Sequence, residues 1–336
     1  MRSLFILVAL WAVAAAPLWA DCQLTKLNGI DAIFGPDRIY VSVKMNGKPA
    51  LFIVDTASNT MLFQEPAEKL GVRFTGDAKR QTYGLTGKEM TDSRVVLDTF
   101  EVGPWKSSTV ALRAVGPVSL GESEIAGVPV AGLMGDDLLS HFDVEINIRE
   151  KLFALYQPQD CEKANMAYWT KDYNVAEIIR YTEQNPRVRV QAKLDGRTVT
   201  ALVDSGSPFS LMSQDVAASH DVTPDSPGTK PAGMVIGMHG QPAASWVGTF
   251  KSFELDQEKI APAKIDFFVF SKRDFQGSSR IQSQVFNVDM LLGFDFLRAH
   301  HVLISHSQQK VYFSYAGGAP FAAPAPDAPL EEPVRP

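Results

Sequence analysis

The sequence predicts a mostly β protein built as two similar lobes in tandem, and three observations predict it. Residues 39–58 read IYVSVKMNGKPALFIVDTAS and residues 188–207 read VRVQAKLDGRTVTALVDSGS, which match without a gap. Each copy sets a two-residue hairpin signal, Asn46-Gly47 or Asp195-Gly196, between an alternating segment and an apolar one. Both dipeptides favour the tight turn with positive φ at its two central positions. Further on, GLMGDDLLSHFDVEIN (132–147) matches MLLGFDFLRAHHVLIS (290–305). A repeat of this length outranks local propensity as evidence of architecture.

The chain begins with an export signal. Arg2 is followed by the apolar run Leu4 to Ala16, and Pro17-Leu18-Trp19-Ala20 ends on a small residue, the pattern of a secretory peptide cut after Ala20. The run is short for a span of about 20 residues, and Asp21 is the wrong residue before Cys22 for lipid attachment. The mature chain is therefore expected to be exported, periplasmic or secreted, with no membrane span. Its expected divisions are the signal peptide 1–20, a first lobe 21–160, a second lobe 161–316 opening on a linker 161–172, and a disordered Pro/Ala-rich tail 317–336. In an oxidising compartment the two cysteines, Cys22 and Cys161, suggest a disulfide stapling the first half, with two free thiols as the alternative. The 336 residues carry a formal charge of -6 and 45% apolar residues. No basic cluster is present, which excludes a nucleic-acid partner.

Within each lobe the elements follow in the same order. Gly29 to Phe34 and Tyr173 to Tyr181 are expected to open the lobes, ahead of the hairpins. Glycine-bracketed loops come next, Tyr83-Gly84-Leu85-Thr86-Gly87 and Ile236-Gly237-Met238-His239-Gly240, flanked by strand-like sequence (Ser93 to Val102, Ala244 to Leu255). Both read as hairpin tips. Strands at Thr109 to Val115 and Ile265 to Phe270 lead into Leu133-Met134-Gly135 and Leu291-Leu292-Gly293. Short helical turns follow, with Leu138, Leu139, Phe296 and Leu297 inward. The lobes close on strands at Leu152 to Tyr156 and Val311 to Tyr315.

The second strand of each hairpin ends in a carboxylate, Asp55-Thr56-Ala57-Ser58 in one copy and Asp204-Ser205-Gly206-Ser207 in the other. One such tetrapeptide is weak evidence; two in register, with matching glycine loops and apolar-Gly anchors, are strong. Together they resemble the retropepsin-like aspartic proteases over roughly residues 25–316. A viral member of that family has one such lobe and dimerises. This chain resembles a bacterial, exported, single-chain tandem whose layout is closer to that of pepsin. The resemblance implies two closed β-barrel lobes about a pseudo-two-fold axis and an aspartic endopeptidase with Asp55 and Asp204 as the catalytic pair.

Peptide hydrolysis needs a water activated on one side and a carbonyl oxygen protonated on the other, and two carboxylates sharing one proton supply both. Such a pair cannot doubly ionise and titrates as a unit, which predicts an acidic optimum. By resemblance, Thr56 and Ser205 hydrogen-bond across the lobe interface, while Ala57 and Gly206 allow close backbone approach. Ala57 departs from the usual glycine. Ser58 and Ser207 are expected to support the carboxylates through their outer oxygens. The loops become flaps over the cleft, with Tyr83, Gly84, Leu85, Gly87, Gly237, Met238 and Gly240 facing a peptide or protein substrate beside apolar residues.

Other chemistry is set aside. His300, His301 and His306 lack metal-ligand spacing, and His300 and His301 suit a helix C-terminus; no metal or cofactor is expected. Asp136, Asp137 and Asp295 are expected to cap helix starts. Ser205 lacks the context of a serine nucleophile. The alternative to an enzyme is a non-catalytic peptide-binding module on the same fold, monomeric in either case.

Overall fold

The computed structural model describes residues 22–75, 80–83, 89–116, 118, 122–237, 242–269 and 288–322, with backbone alone at 80–83 and 89–92. The expected signal peptide lies outside the described residues, as do Gly84, Leu85, Gly87, Met238, Gly240 and the tail from 323.

Each predicted hairpin forms as its turn chemistry dictates. Ile39–Met45 pairs antiparallel with Lys48–Val54 through Asn46 (φ 50°) and Gly47 (φ 77°). Arg189–Leu194 pairs with Arg197–Val203 through Asp195 (φ 51°) and Gly196 (φ 77°). The turn side chain also caps a neighbouring strand: Thr99 N donates to Asn46 Oδ1 at 3.1 Å, and Ser252 N to Asp195 Oδ1 at 3.0 Å.

From the hairpin the first lobe closes into a six-stranded barrel. Ile39–Met45 joins Lys48–Val54, which runs parallel to Val128–Met134. Val128–Met134 meets Met61–Phe63, then Trp105–Gly116, then Glu89–Val102, which returns to Ile39–Met45. The second lobe makes the same circuit through Arg189–Leu194, Arg197–Val203, Met290–Leu292, Leu211–Ser213, Ala263–Phe268 and Pro242–Phe250. Its last two strands are broken where those of the first lobe run through. Phe253–Leu255 continues Pro242–Phe250 beyond Lys251-Ser252 and completes the ring against Arg189–Leu194.

A six-stranded sheet joins the lobes, in the order Gln23–Lys26, Leu152–Gln159, Asp143–Asn147, His300–Ser305, Lys310–Tyr315, Asn174–Glu177. At its seam Val144 faces Ile304, Glu145 faces Leu303 and Ile146 faces Val302. Those pairs map onto each other when the lobes are exchanged, so a pseudo-two-fold axis passes between Glu145 and Leu303. One face of the seam enters the common core with Val144, Ile146, Val302 and Ile304. The other is covered by the expected linker, whose Met166 and Ala167 pack on Leu303 and Tyr312. There Glu145, fully buried, accepts hydrogen bonds from Tyr156 Oη (2.6 Å), Tyr168 Oη (2.6 Å) and His301 Nε2 (2.7 Å).

The disulfide forms between Cys22 and Cys161, 139 residues apart. Three local readings differ. The outer strand of the first lobe's share of the sheet is Gln23–Lys26, while Ala32–Phe34 pairs with Ile39–Met45 instead; the mostly exposed QLTK pattern hides an edge strand. Leu138 is half-buried, although Leu139, Phe296 and Leu297 are buried. The tail opens with a docked segment, since Phe321 is buried and packs edge-on against Phe253.

Candidate active site

Asp55 and Asp204 each leave the end of a buried strand. Their backbone N–H groups donate to Met134 O (3.0 Å) and Leu292 O (2.8 Å), extending the parallel pairs of the two apolar-Gly strands. The loops that follow interlock. Thr56 Oγ1 donates to Val203 O (2.8 Å) and accepts from Ser205 N (3.1 Å); Ser205 Oγ donates to Val54 O (2.8 Å) and accepts from Thr56 N (3.2 Å). All four bonds are buried, so each hydroxyl ties the opposite lobe's strand end to its own loop. Buried and fully satisfied polar networks hold one geometry.

Within each loop the carboxylate folds back on the backbone. Asp204 Oδ1 accepts from Gly206 N and Ser207 N, both at 3.0 Å, and Asp55 Oδ1 accepts from Ala57 N at 3.0 Å. The serine hydroxyls go elsewhere than expected. Ser207 Oγ donates to Phe209 O (2.8 Å) and Ser58 Oγ to Asn59 O (3.3 Å). Their support of the loop is through the backbone.

Gly206 sits against the opposite aspartate, where an added Cβ would stand 2.5 Å from Asp55 Cγ. The two aspartates therefore share one junction. Burial raises both carboxyl pKa values, and the charge of Asp55 adds to burial at Asp204, which is pushed up to about 8. Desolvation disfavours the charged form, and two carboxylates at one junction oppose double ionisation.

The aspartates after the glycine anchors brace the loops instead of capping helices. Gly135 and Gly293 occupy the N-cap positions of Asp136–Leu139 and Phe294–Leu297. Asp137 Oδ1 accepts from Thr60 N (2.7 Å) and Thr60 Oγ1 (2.6 Å), and Asp295 Oδ1 accepts from Ser210 N (2.7 Å) and Ser210 Oγ (2.6 Å). Asp136 is buried and lies 3.8 Å from Arg187 Nε, and burial raises its pKa to about 7. His300 Nδ1 contacts Phe296 O at 2.7 Å, the helix-terminal position expected for it.

Arg187, Arg38, Asn59, Thr60 and Ser210 lie outside the motifs read from the sequence. A signal existed for the arginines: Arg38 and Arg187 stand immediately before the two matched twenty-residue copies, at equivalent positions.

Of the flap residues, Tyr83 ends the strand Arg80–Tyr83, paired with Glu89, and Gly237 follows Lys230–Ile236. Beside Ala57 lies an apolar cluster of Leu202, Leu211, Phe268 and Leu291, against which Val235 and Ala243 of the second glycine-loop hairpin also pack. Met234 and Ile236 on that hairpin are more than half exposed.

Comparisons with known proteins place these features in context. A family model described as aspartyl protease matches residues 41–138 and 190–296, one region in each lobe. Among solved structures, the chain is similar to a retropepsin-like aspartic protease from Rickettsia conorii. That match has 20% identity, covers 41% of this chain and 95% of that one, and has a TM-score of 0.30. No curated protein matches.

Proposed function

The chain belongs to the aspartyl protease family, and from that premise we propose that it is an exported, monomeric endopeptidase that cleaves peptide bonds with Asp55 and Asp204. The reading is supported by the reciprocal lock of Thr56 and Ser205, which ties the two aspartate loops together across the lobe interface. A junction holding one negative charge and one proton binds a water between the pair. The charged carboxylate takes the water's proton as its oxygen bonds to the scissile carbon, and the protonated one donates to the carbonyl oxygen. The product of that step is a neutral gem-diol, formed with no covalent bond to the enzyme.

The raised carboxyl pKa values favour a singly protonated pair at mildly acidic pH, which supports an acidic optimum. The apolar cluster beside Ala57, with Val235 and Ala243 over it, supports a preference for apolar side chains next to the cleaved bond. The disulfide supports an oxidising compartment, periplasmic or extracellular.

The test is cleavage of a peptide library by the mature chain across pH, beside Asp55→Asn and Asp204→Asn. Each variant should lose roughly 100- to 10,000-fold in kcat/KM, the range of a general acid or base. Wild-type binding of peptides with no cleavage at any pH would instead identify a peptide-binding module.

A further inference from the structure

The two catalytic loops share a backbone design, but their surroundings do not share its symmetry. Arg38 and Arg187 occupy equivalent places ahead of the two hairpins. Arg38 stays within the first lobe, where Asp37 holds its Nε at 3.0 Å and its Nη2 at 2.6 Å. Arg187, although it precedes the second lobe's hairpin, reaches across to the first. Its Nη2 donates to Asn59 Oδ1 at 3.1 Å, its Nε lies 3.8 Å from Asp136 Oδ2, and its side chain is 12% exposed. Asn59 belongs to the loop of Asp55, and Asp136 N donates to Ser58 O of the same loop at 2.8 Å.

Behind Asp204 the corresponding places are apolar. Phe294 stands where Asp136 does and donates its N–H to Ser207 O at 2.8 Å; Phe209 stands where Asn59 does. Both arginines therefore lie on the side of Asp55, and the loop of Asp204 is backed by phenylalanine.

We propose that Arg187 is a positioning residue that removes the equivalence of the pair, keeping the negative charge on Asp55 and the shared proton on Asp204. A cation stabilises the nearer carboxylate, and an apolar backing leaves the farther one neutral. In hydrolysis Asp55 then takes the proton of the water, and Asp204 gives its proton to the carbonyl oxygen. The direction in which a peptide lies across the lobes follows, because its carbonyl must meet Asp204. Arg187 and Arg38 both favour the charge on Asp55, whereas at Asp204 burial and the charge of Asp55 come first and push the pKa up to about 8.

Among the described residues, the charged groups facing the pair are Arg38 with its partner Asp37, Arg187, and Asp136, itself influenced by Asp137.

The proposal rests on Asp55 and Asp204 being the reactive pair, and its test does not require turnover. Carboxyl-13C aspartate NMR would follow the remaining member of the pair in Asp204→Asn and in Asp55→Asn. Asp55 alone should titrate at least roughly one pH unit below Asp204 alone, and Arg187→Met should close most of that gap while Arg187→Lys restores it. If turnover is measurable, Arg187→Met should also move the acid limb of the kcat/KM profile upward. Equal titration of the two aspartates, or a gap untouched in a folded Arg187→Met, would overturn the assignment. If Arg187→Met does not fold, Arg187→Gln takes its place in the same titration. A titration gap in a chain that never cleaves peptides would leave this assignment standing and the peptidase reading rejected.

Discussion

A methyl group added to Gly206 would stand 2.5 Å from the carboxyl carbon of Asp55, whereas Ala57, at the equivalent place in the other loop, packs its own methyl into the Leu202, Leu211, Phe268 and Leu291 cluster. The alanine that breaks the family pattern thus fills an apolar site, and the glycine that keeps it has no room to change. Ala57→Gly should retain activity within a fewfold and lose ~1 kcal/mol of stability or less, the scale of one buried methyl. Gly206→Ala should displace Asp55 and lose most of its activity, with ~1–3 kcal/mol of strain. Kinetics and urea unfolding of both variants check the contrast; equal tolerance would contradict it.

The lock between the lobes predicts a polar cost out of proportion to its size. Thr56→Val keeps the shape of the side chain but strands Ser205 N and Val203 O, both partners of the lost hydroxyl. A buried polar group left without a partner costs about 1–3 kcal/mol. Chemical denaturation should read a loss in that range, and Ser205→Ala, which strands Thr56 N and Val54 O, should match it. A loss below ~0.5 kcal/mol in both, less than one ordinary hydrogen bond contributes, would mean that the lock carries no stability.

Stability should fall as the solution turns alkaline. Burial lifts the carboxyl pKa of Asp204 to about 8, of Asp136 and Asp266 to about 7, and of Asp295 to about 6. An ordinary aspartate titrates near ~4, so the folded chain holds these protons more tightly than the unfolded one. The resulting stability is complete below about pH 4 and is lost as pH rises through the folded values. His306 works in the opposite sense: burial depresses its pKa to about 4, so its contribution is present at neutral pH and is lost as pH falls toward that value. Burial lowers the pKa of His220 in the same sense, but the four carboxylates, joined by Asp55 and Asp143, whose pKa values burial also raises, outweigh the two histidines. The melting temperature should be higher at pH 5 than at pH 8, and Asp136→Asn should shrink the difference. A melting temperature that rises from pH 5 to pH 8 would refute this account.

Reduction should weaken the fold substantially. The Cys22–Cys161 bridge spans 139 residues, and closing so long a loop restricts the unfolded chain by about 5 kcal/mol in the chain-entropy treatment. A Cys22→Ser, Cys161→Ser chain should melt several degrees lower than the oxidised protein. Reductant should lower the melting point of the wild type and leave that of the double variant unchanged.

The parts of the molecule that were legible in sequence are those whose physics is local. Asn46-Gly47 and Asp195-Gly196 announce hairpins because the turn itself requires their positive φ. The two aspartate loops could be read because the same turn chemistry appears twice in register. What escaped depends on chains meeting in space. The break at Lys251-Ser252 divides a strand that is continuous in the first lobe, and nothing in the local pattern signals it. The repeat pairs Arg187 with Arg38, but only the meeting of the lobes brings Asn59 and Asp136 to it. The serine hydroxyls of Ser58 and Ser207 were expected on the carboxylates, but backbone carbonyls one and two residues ahead are nearer partners.

The seam of the six-stranded sheet also decides which halves can pair. Glu145 and Leu303 are equivalent residues that face each other across the axis. A dimer of first lobes would set two buried Glu145 carboxylates face to face. A dimer of second lobes would set His301 beside a leucine, where Glu145 now receives its hydrogen bond. Each half therefore complements the other on the axis, where a copy of itself would bring together two carboxylates or leave a histidine without its acceptor.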